Sequence, residues 1–257
     1  MRRFCRILSK GSDVEASGGT SCKQIHLLTN IIISLLLIAG VVASIRWKKL
    51  TIPAACAGGV AGGLVFAGGG VTGLGMLAAF FIMGTVATGW RKKDKEGAVQ
   101  MTRTMGQVVA NGGVAALAGL CIICFPAYRP VLEVMMAGSL ASATADTLSS
   151  ELGMVYGRSY YNILTWKPDQ RGMDGVISLE GSLIGVVGAA VIALLFTIGH
   201  GWSAGFWIIV LSGVLGNLTD SLLGAALERK GYIGNDMVNF LNTLTAGLVA
   251  GALALAQ

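Results

Sequence analysis

Apolar residues in this chain come in runs of membrane-spanning length and not in the alternation of a half-buried strand. A hydrocarbon core about 30 Å thick needs roughly 20 mostly apolar helical residues to cross it. Stretches at about 27–45, 51–68, 71–90, 106–125, 130–148, 176–198, 204–224 and 238–256 meet that requirement. Only GGV links the second to the third. The pattern predicts an all-α fold, a polytopic integral membrane helical bundle of about 7–8 transmembrane helices. One transmembrane domain, residues 25–257, is expected. Residues 1–24, MRRFCRILSKGSDVEASGGTSCKQ, are polar and mixed and read as a disordered tail. They lack the uninterrupted apolar core and cleavage site of a signal peptide.

Composition agrees. Of 257 residues, 54% are hydrophobic and 12% charged, whereas a soluble domain carries about 25% charged residues. The 38 glycines gather in stretches such as AACAGGVAGGLVFAGGG (54–70). Small residues let membrane helices approach closely. No Walker A pattern occurs, and no GxGxxG follows a strand, so these glycines read as packing.

Charge sets the topology. Counting from the first predicted helix, the odd-numbered loops hold thirteen Lys and Arg and the even-numbered loops hold Arg129 alone. By the positive-inside rule the odd loops are cytoplasmic. The tail, with Arg2, Arg3, Arg6, Lys10 and Lys23, opposes this arrangement, so either it is translocated against the rule or one span is miscounted. The run RKKDKE (91–96) reads as topology signal and headgroup contact.

Cys5, Cys22, Cys56, Cys121 and Cys124 form no disulfide framework. The CxxC of GLCIICF lies in an apolar span with no second ligand pair, so no zinc site is expected. His26 and His200 sit in unrelated places, which leaves hydrolytic Ser/His or Cys/His catalysis without support.

The polar residues inside the apolar runs converge on one membrane face. Asp146 closes the fifth span, and Asn217 and Asp220 lie near the end of the seventh. Ser178, Glu180 and Ser182 open the sixth, Asn235, Asp236, Asn239 and Asn242 open the eighth, and Arg103, Gln107 and Asn111 open the fourth. Asn217 and Asp220 are spaced i, i+3, as are Asp146 and Ser149, and Asn239 and Asn242, so each pair shares a helix face. A short echo, ADTL (145–148) and TDSL (219–222), ends two spans of the same direction.

Such a set suits phosphate chemistry with a metal. Magnesium takes one or two carboxylates plus substrate phosphates, and Asp146 and Asp220 are natural ligands. A helix start with small residues binds anions through free N–H groups, as Ser178–Ser182 with Gly175 and Gly181 would. Arg103, Arg158, Lys167 and Arg171 can neutralise phosphates. Against this, single polar residues at helix ends are often only caps or solvated groups.

Several segments then resemble one family, which contains transmembrane protein 19 and plant phytyl-phosphate kinase. They are QVVANGG (107–113), ATADTLSSELG (143–153), YGRSYYNILTWKP (156–168), GMDGVISLEGSLIG (172–185) and GNLTDSLLGAALERKGYIGNDMVNFLNT (216–243). The resemblance covers roughly residues 30–257. A more distant likeness is to dolichol kinase and phosphatidate cytidylyltransferase: Asp146, Gly153, Gly157 and SLEGS (178–182), and GNLTDS (216–221) with Asn235–Asp236, look similar to their motifs. Here Asn217 stands where those enzymes have Asp, and Ile177–Ser178 where dolichol kinase has Lys-Thr.

The resemblance implies phosphoryl transfer from CTP or ATP to an isoprenoid monophosphate such as phytyl or geranylgeranyl phosphate, with Mg2+, at the cytoplasmic face. It implies Asp146, Asp220 and Glu180 as catalytic residues, the two aspartates holding the metal. Ser178, Gly181 and Ser182 would cradle phosphate, and Arg158, Lys167 and Arg171 would clamp the nucleotide. Asn217, Asn239 and Asn242 would orient oxygens. Asn111, Arg103, Ser149, Glu151, Asp174, Ser221, Asn235 and Asp236 complete the binding set. The partners are then the lipid phosphate, the nucleotide and membrane lipids, with no nucleic acid. The rival readings are a transporter or flippase of a lipid phosphate or ion, and a packing protein without chemistry.

Overall fold

A computed structural model describes residues 15–95 and 102–257. Seven long helices appear in chain order: α1 (Glu15–Arg46), α2 (Ile52–Gly89), α3 (Met105–Cys124), α4 (Arg129–Tyr156), α5 (Leu179–His200), α6 (Gly205–Leu223) and α7 (Asn235–Leu255). A two-residue ladder pairs β1 (Tyr161–Asn162) with β2 (Val176–Ile177). Residues 1–14 of the expected tail lie outside the described residues, and α1 begins at Glu15.

α2 combines the second and third predicted spans. A straight helix of its 38 residues would reach about 57 Å, nearly twice the hydrocarbon thickness. It does not run straight. Gly70 takes φ 63°, ψ −155°, a region open essentially to glycine alone. The chain reverses there, so Gly62 lies against Leu74 and Leu77. Phe81 packs against Leu50, Ala54 and Ala55. Both ends of α2 therefore reach Arg103: Thr51 N–H donates to the Arg103 carbonyl at 3.1 Å, and Gly84 abuts the guanidinium. The reversal restores the two predicted spans.

Six of the helices are long and apolar enough to cross a membrane. The exception, α4, carries Ser139, Ser142, Thr144 and Asp146, yet it is the central helix. It packs on α2, α3, α5, α6 and α7, and Met136, Leu140, Ala141 and Ala145 lie in the core with Ile122, Ile192 and Ile209. Surrounding helices replace lipid around it. Ser139 and Thr144 satisfy their hydroxyls on the carbonyls of Met136 and Leu140, and Ser142 donates to Asn242 at 3.0 Å. Leu35, Ile82, Leu117, Val187, Leu211 and Leu248 point outward and remain exposed, as lipid-facing residues do.

Local signals fix the helix starts. Thr51 caps α2 and Pro53 occupies its first turn. Thr104 and Gln107 form a reciprocal capping box on α3. Ser178 caps α5 by accepting from the Gly181 N–H at 3.1 Å. The links after α1, α2, α4 and α6, which hold the basic residues, all emerge at the end of the bundle where Asp146 lies.

Candidate functional site

α4 and α6 run in the same direction and pack side by side, but Asp146 does not close its helix, since α4 continues to Tyr156. The carboxyl groups of Asp146 on α4 and Asp220 on α6 lie within hydrogen-bonding reach of each other. Asn242 of α7, fully buried, donates to Asp220 Oδ1 at 2.7 Å while accepting from Ser142 of α4. One amide thus joins three helices behind the pair. Ser149, one turn beyond Asp146, donates to Asn217 Oδ1 at 3.1 Å, and Ser221 donates to the Asn217 carbonyl.

Asp146, Ser149, Asn217, Asp220 and Ser221 wall a cleft of about 190 Å³. Of the residues singled out in the sequence, Asp146, Ser149, Asp174, Ser178, Gly181, Ser182, Asn217, Asp220, Ser221 and Asn235 line it. Tyr160, Ser150 and Glu228 line it as well. The sequence reading missed these, although Ser150 follows Asp146 at i+4 and Glu228 ends the apolar run after Asp220. Glu228 reaches the cleft because α6 widens into a π-helical turn over Gly224–Glu228, a feature frequent at functional sites. Gly175, at φ 71°, lets the loop press on that turn: a Cβ there would sit 2.3 Å from the Ala225 methyl.

A second cavity of about 150 Å³ lies on the other side of Asp146 and shares Asp146, Ser150 and Asn235 with the first. Arg103, Asn111, Glu151 and Asn239 line it. Arg103 is held over the Phe80 ring at 5.5 Å. Burial pulls its guanidinium below the ordinary value, and Glu151 and Asp146 pull the other way.

Six predicted residues line neither cavity. Ser178 lines the cleft but spends its oxygen on the helix cap, whereas Glu180 lines neither cavity: its carboxylate accepts from the Arg158 backbone N–H. The cationic clamp is not formed. Arg158 is 90% exposed beside Glu180, Lys167 is exposed on the loop, and Arg171 donates to the Met154 carbonyl at 3.1 Å. The loop explains this: Asn162 accepts from the N–H groups of Leu164 and Thr165, making a tight turn that sends Lys167 outward. Asp236 packs on Gly106 in the first turn of α3. Asn242 supports Asp220 from behind without lining either cavity.

The basic run 91–96 also holds more than a topology signal. Lys95 has no exposed side-chain surface. It donates to the last carbonyls of α2, Ala87 and Thr88, at 2.7 and 3.2 Å, and to Glu151 at 2.6 Å. A basic residue at a helix C-terminus satisfies orphan carbonyls, and here it also holds Glu151 at the second cavity. Among the described residues no cluster of three or more His, Cys, Asp or Glu is placed to hold a metal ion.

Fold and site together define a polytopic integral membrane protein with a polar, carboxylate-bearing cleft at one end of its helix bundle. The chain belongs to the family described as Integral membrane protein DUF92, which it matches over residues 35–247. It is 34% identical over 176 residues to an uncharacterized membrane protein of Methanocaldococcus jannaschii, covering 68% of this chain and 73% of that one. A Synechocystis membrane protein, also uncharacterized, is 30% identical over 240 residues, covering 90% and 92%. Protein VTE6, chloroplastic, of Arabidopsis thaliana is 28% identical over 193 residues, covering 70% of this chain and 58% of the plant protein. No solved structure shows a significant match.

Proposed function

We propose that this chain transfers the terminal phosphoryl group of a nucleoside triphosphate, CTP or ATP, to an isoprenoid monophosphate such as phytyl or geranylgeranyl phosphate, at the cytoplasmic face. The observation that carries this reading is the contact of Asp146 with Asp220 in the cleft. Two carboxylates in contact repel unless a proton or a cation lies between them. Magnesium is satisfied by one or two carboxylates when phosphates and water complete its shell, so this donor pair fits an ion that the substrate itself helps to hold. Asp146 and Asp220 would hold it, and it would balance charge on the phosphoryl group in transfer.

The lining supports the same view. It carries Asp146, Asp174, Asp220 and Glu228 and no Lys or Arg among the described residues. A triphosphate entering it needs its charge already balanced by a cation. Ser149, Asn217 and Ser182 would orient phosphate oxygens. In the step itself, an oxygen of the isoprenoid monophosphate bonds to the γ-phosphorus. The bond from that phosphorus to the β–γ bridging oxygen breaks, and the nucleoside diphosphate leaves with the electron pair. The attacking oxygen is already ionised, so the step needs no general base. The basic loops at the cleft end support a cytoplasmic orientation, and the motif resemblance to plant phytyl-phosphate kinase supports the substrate class.

The same acidic lining favours a second reading, a transporter of a cation or of a cation-paired lipid phosphate. Nucleotide dependence separates the two. Purified protein with magnesium, CTP or ATP, and phytyl or geranylgeranyl monophosphate is expected to form the diphosphate, read by mass spectrometry, and Asp220→Asn is expected to form none. A folded sample that makes no product with any pair removes the kinase reading.

A further inference from the structure

The second cavity differs in chemistry from the cleft. The side chains that line it are all polar, with no aromatic or aliphatic wall among the described residues. Such walls are what a flat nucleobase stacks on. Arg103 is its one Lys or Arg and faces two acids, Asp146 and Glu151. The two acids offset the arginine's charge and leave none over for a phosphate.

Asn111 supplies the decisive observation. The residue is 9% exposed. It lines the cavity, and its Nδ2 donates to the Gln107 carbonyl at 3.0 Å, which fixes the amide and so the position of Oδ1. That oxygen has no hydrogen-bond partner among the described residues. A buried acceptor without a partner is costly, and a ligand that donates a hydrogen bond relieves it. Asn111 Oδ1 and the Glu151 carboxylate accept, and the Arg103 guanidinium donates. Vicinal hydroxyls both donate and accept, so a diol matches this mixed set where an ionised phosphate, which only accepts, does not.

The geometry points to the second cavity as the site that reads the ribose hydroxyls of the nucleotide. This rests on the kinase reading of the cleft. The shared wall of Asp146, Ser150 and Asn235 places a ribose in one cavity next to its 5′-phosphates in the other. Arg103 is built in for this role. Its backbone is pinned to Lys49 and Thr51 by hydrogen bonds of 2.9 and 3.1 Å, and Gly84 leaves room for its guanidinium, since a Cβ there would lie 2.5 Å from Nη2.

The test is a binding titration of the full chain, with magnesium, using CTP and ATP and their 2′-deoxy and 3′-deoxy analogues. The parent is expected to bind at least one deoxy analogue about tenfold more weakly than the ribonucleotide. Asn111→Leu removes the acceptor at similar volume and is expected to shrink that ratio to about twofold or less. If that variant does not fold, Gly84→Ala displaces the Arg103 guanidinium instead and is expected to narrow the ratio as well. Equal affinity of the parent for ribo- and deoxynucleotides overturns this inference alone and leaves a hydrated cavity. Failure to bind any nucleotide overturns it together with the kinase reading.

Discussion

Asn242 Nδ2 stands 2.7 Å from Asp220 Oδ1, and its own oxygen accepts from Ser142 at 3.0 Å. A fully buried amide on α7 therefore fixes a carboxylate on α6 against a hydroxyl on α4. Replacing it with leucine leaves the buried Ser142 hydroxyl without its partner, a cost of about 1–3 kcal/mol, and removes a donor from the half-buried Asp220. Asn242→Leu is expected to lower the melting temperature in detergent and to cut diphosphate formation at least tenfold. Turnover at the parent's rate would show that Asp220 needs no such support.

The Asp146–Asp220 contact sets function against stability. Asp146→Asn or Asp220→Asn removes a like-charge contact. Without magnesium or nucleotide, each variant is expected to melt at or above the parent's temperature. Each is also expected to lose product formation by more than a hundredfold, the order seen when a group that stabilises transferring charge is removed. A variant that both melts lower and keeps its activity would mark the pair as structural.

Lys95 gives a second stability test. Its ammonium group has no exposed surface and serves two α2 carbonyls and Glu151. Lys95→Met strands all three acceptors, and breaking a buried pair costs about 3–5 kcal/mol. The expected result is a fall in melting temperature of roughly 5–15 °C. A surface lysine in contact with headgroups would shift it by almost nothing.

Gly70 tests the reversal in α2. Its backbone, φ 63° and ψ −155°, costs a residue with a Cβ about 1–3 kcal/mol. A Cβ would meet no neighbour there, so the strain acts alone. Gly70→Ala is expected to lower the melting temperature while leaving nucleotide selectivity intact.

The loop over the cleft is clasped by Arg229, which grips Asp169 with Nη1 and Nη2 of its guanidinium. The Arg229 hydrogen bond, helped by the Gln170 N–H, holds the Asp169 carboxyl below the usual carboxylate range. A depressed folded-state pKa stabilises above the unfolded aspartate value of about 3.9 and loses that contribution as pH falls through the folded value. The melting difference between the parent and Asp169→Asn is expected to stay constant from neutral pH down to about 5 and to narrow progressively as pH falls below about 4. Added salt should shrink it at every pH, since the pair borders solvent.

Parts of the site were legible in advance because helical geometry is local. Asn217 and Asp220 share a face by spacing alone. The echo of ADTL and TDSL turned out to bring its two aspartates together, since α4 and α6 run the same way. The loop cations were not legible. Arg158, Lys167 and Arg171 sit in a segment of turns, where one Asn-anchored bend decides whether a side chain faces the cleft or water. Lys95 was hidden for the opposite reason: within RKKDKE nothing distinguishes the one lysine that turns inward.

What the sequence by itself determined is the membrane helices, their order and the face on which the polar residues gather. Hydrophobic run length and charge bias are properties of short segments, and the bilayer acts on each segment separately. Only the tertiary structure decided that α4, the least apolar of the long helices, lies at the centre, that Asn242 and not a loop residue supports Asp220, and that Asp146 divides two cavities of different chemistry. Those outcomes depend on which helix faces pack together, and packing is settled by all the helices at once.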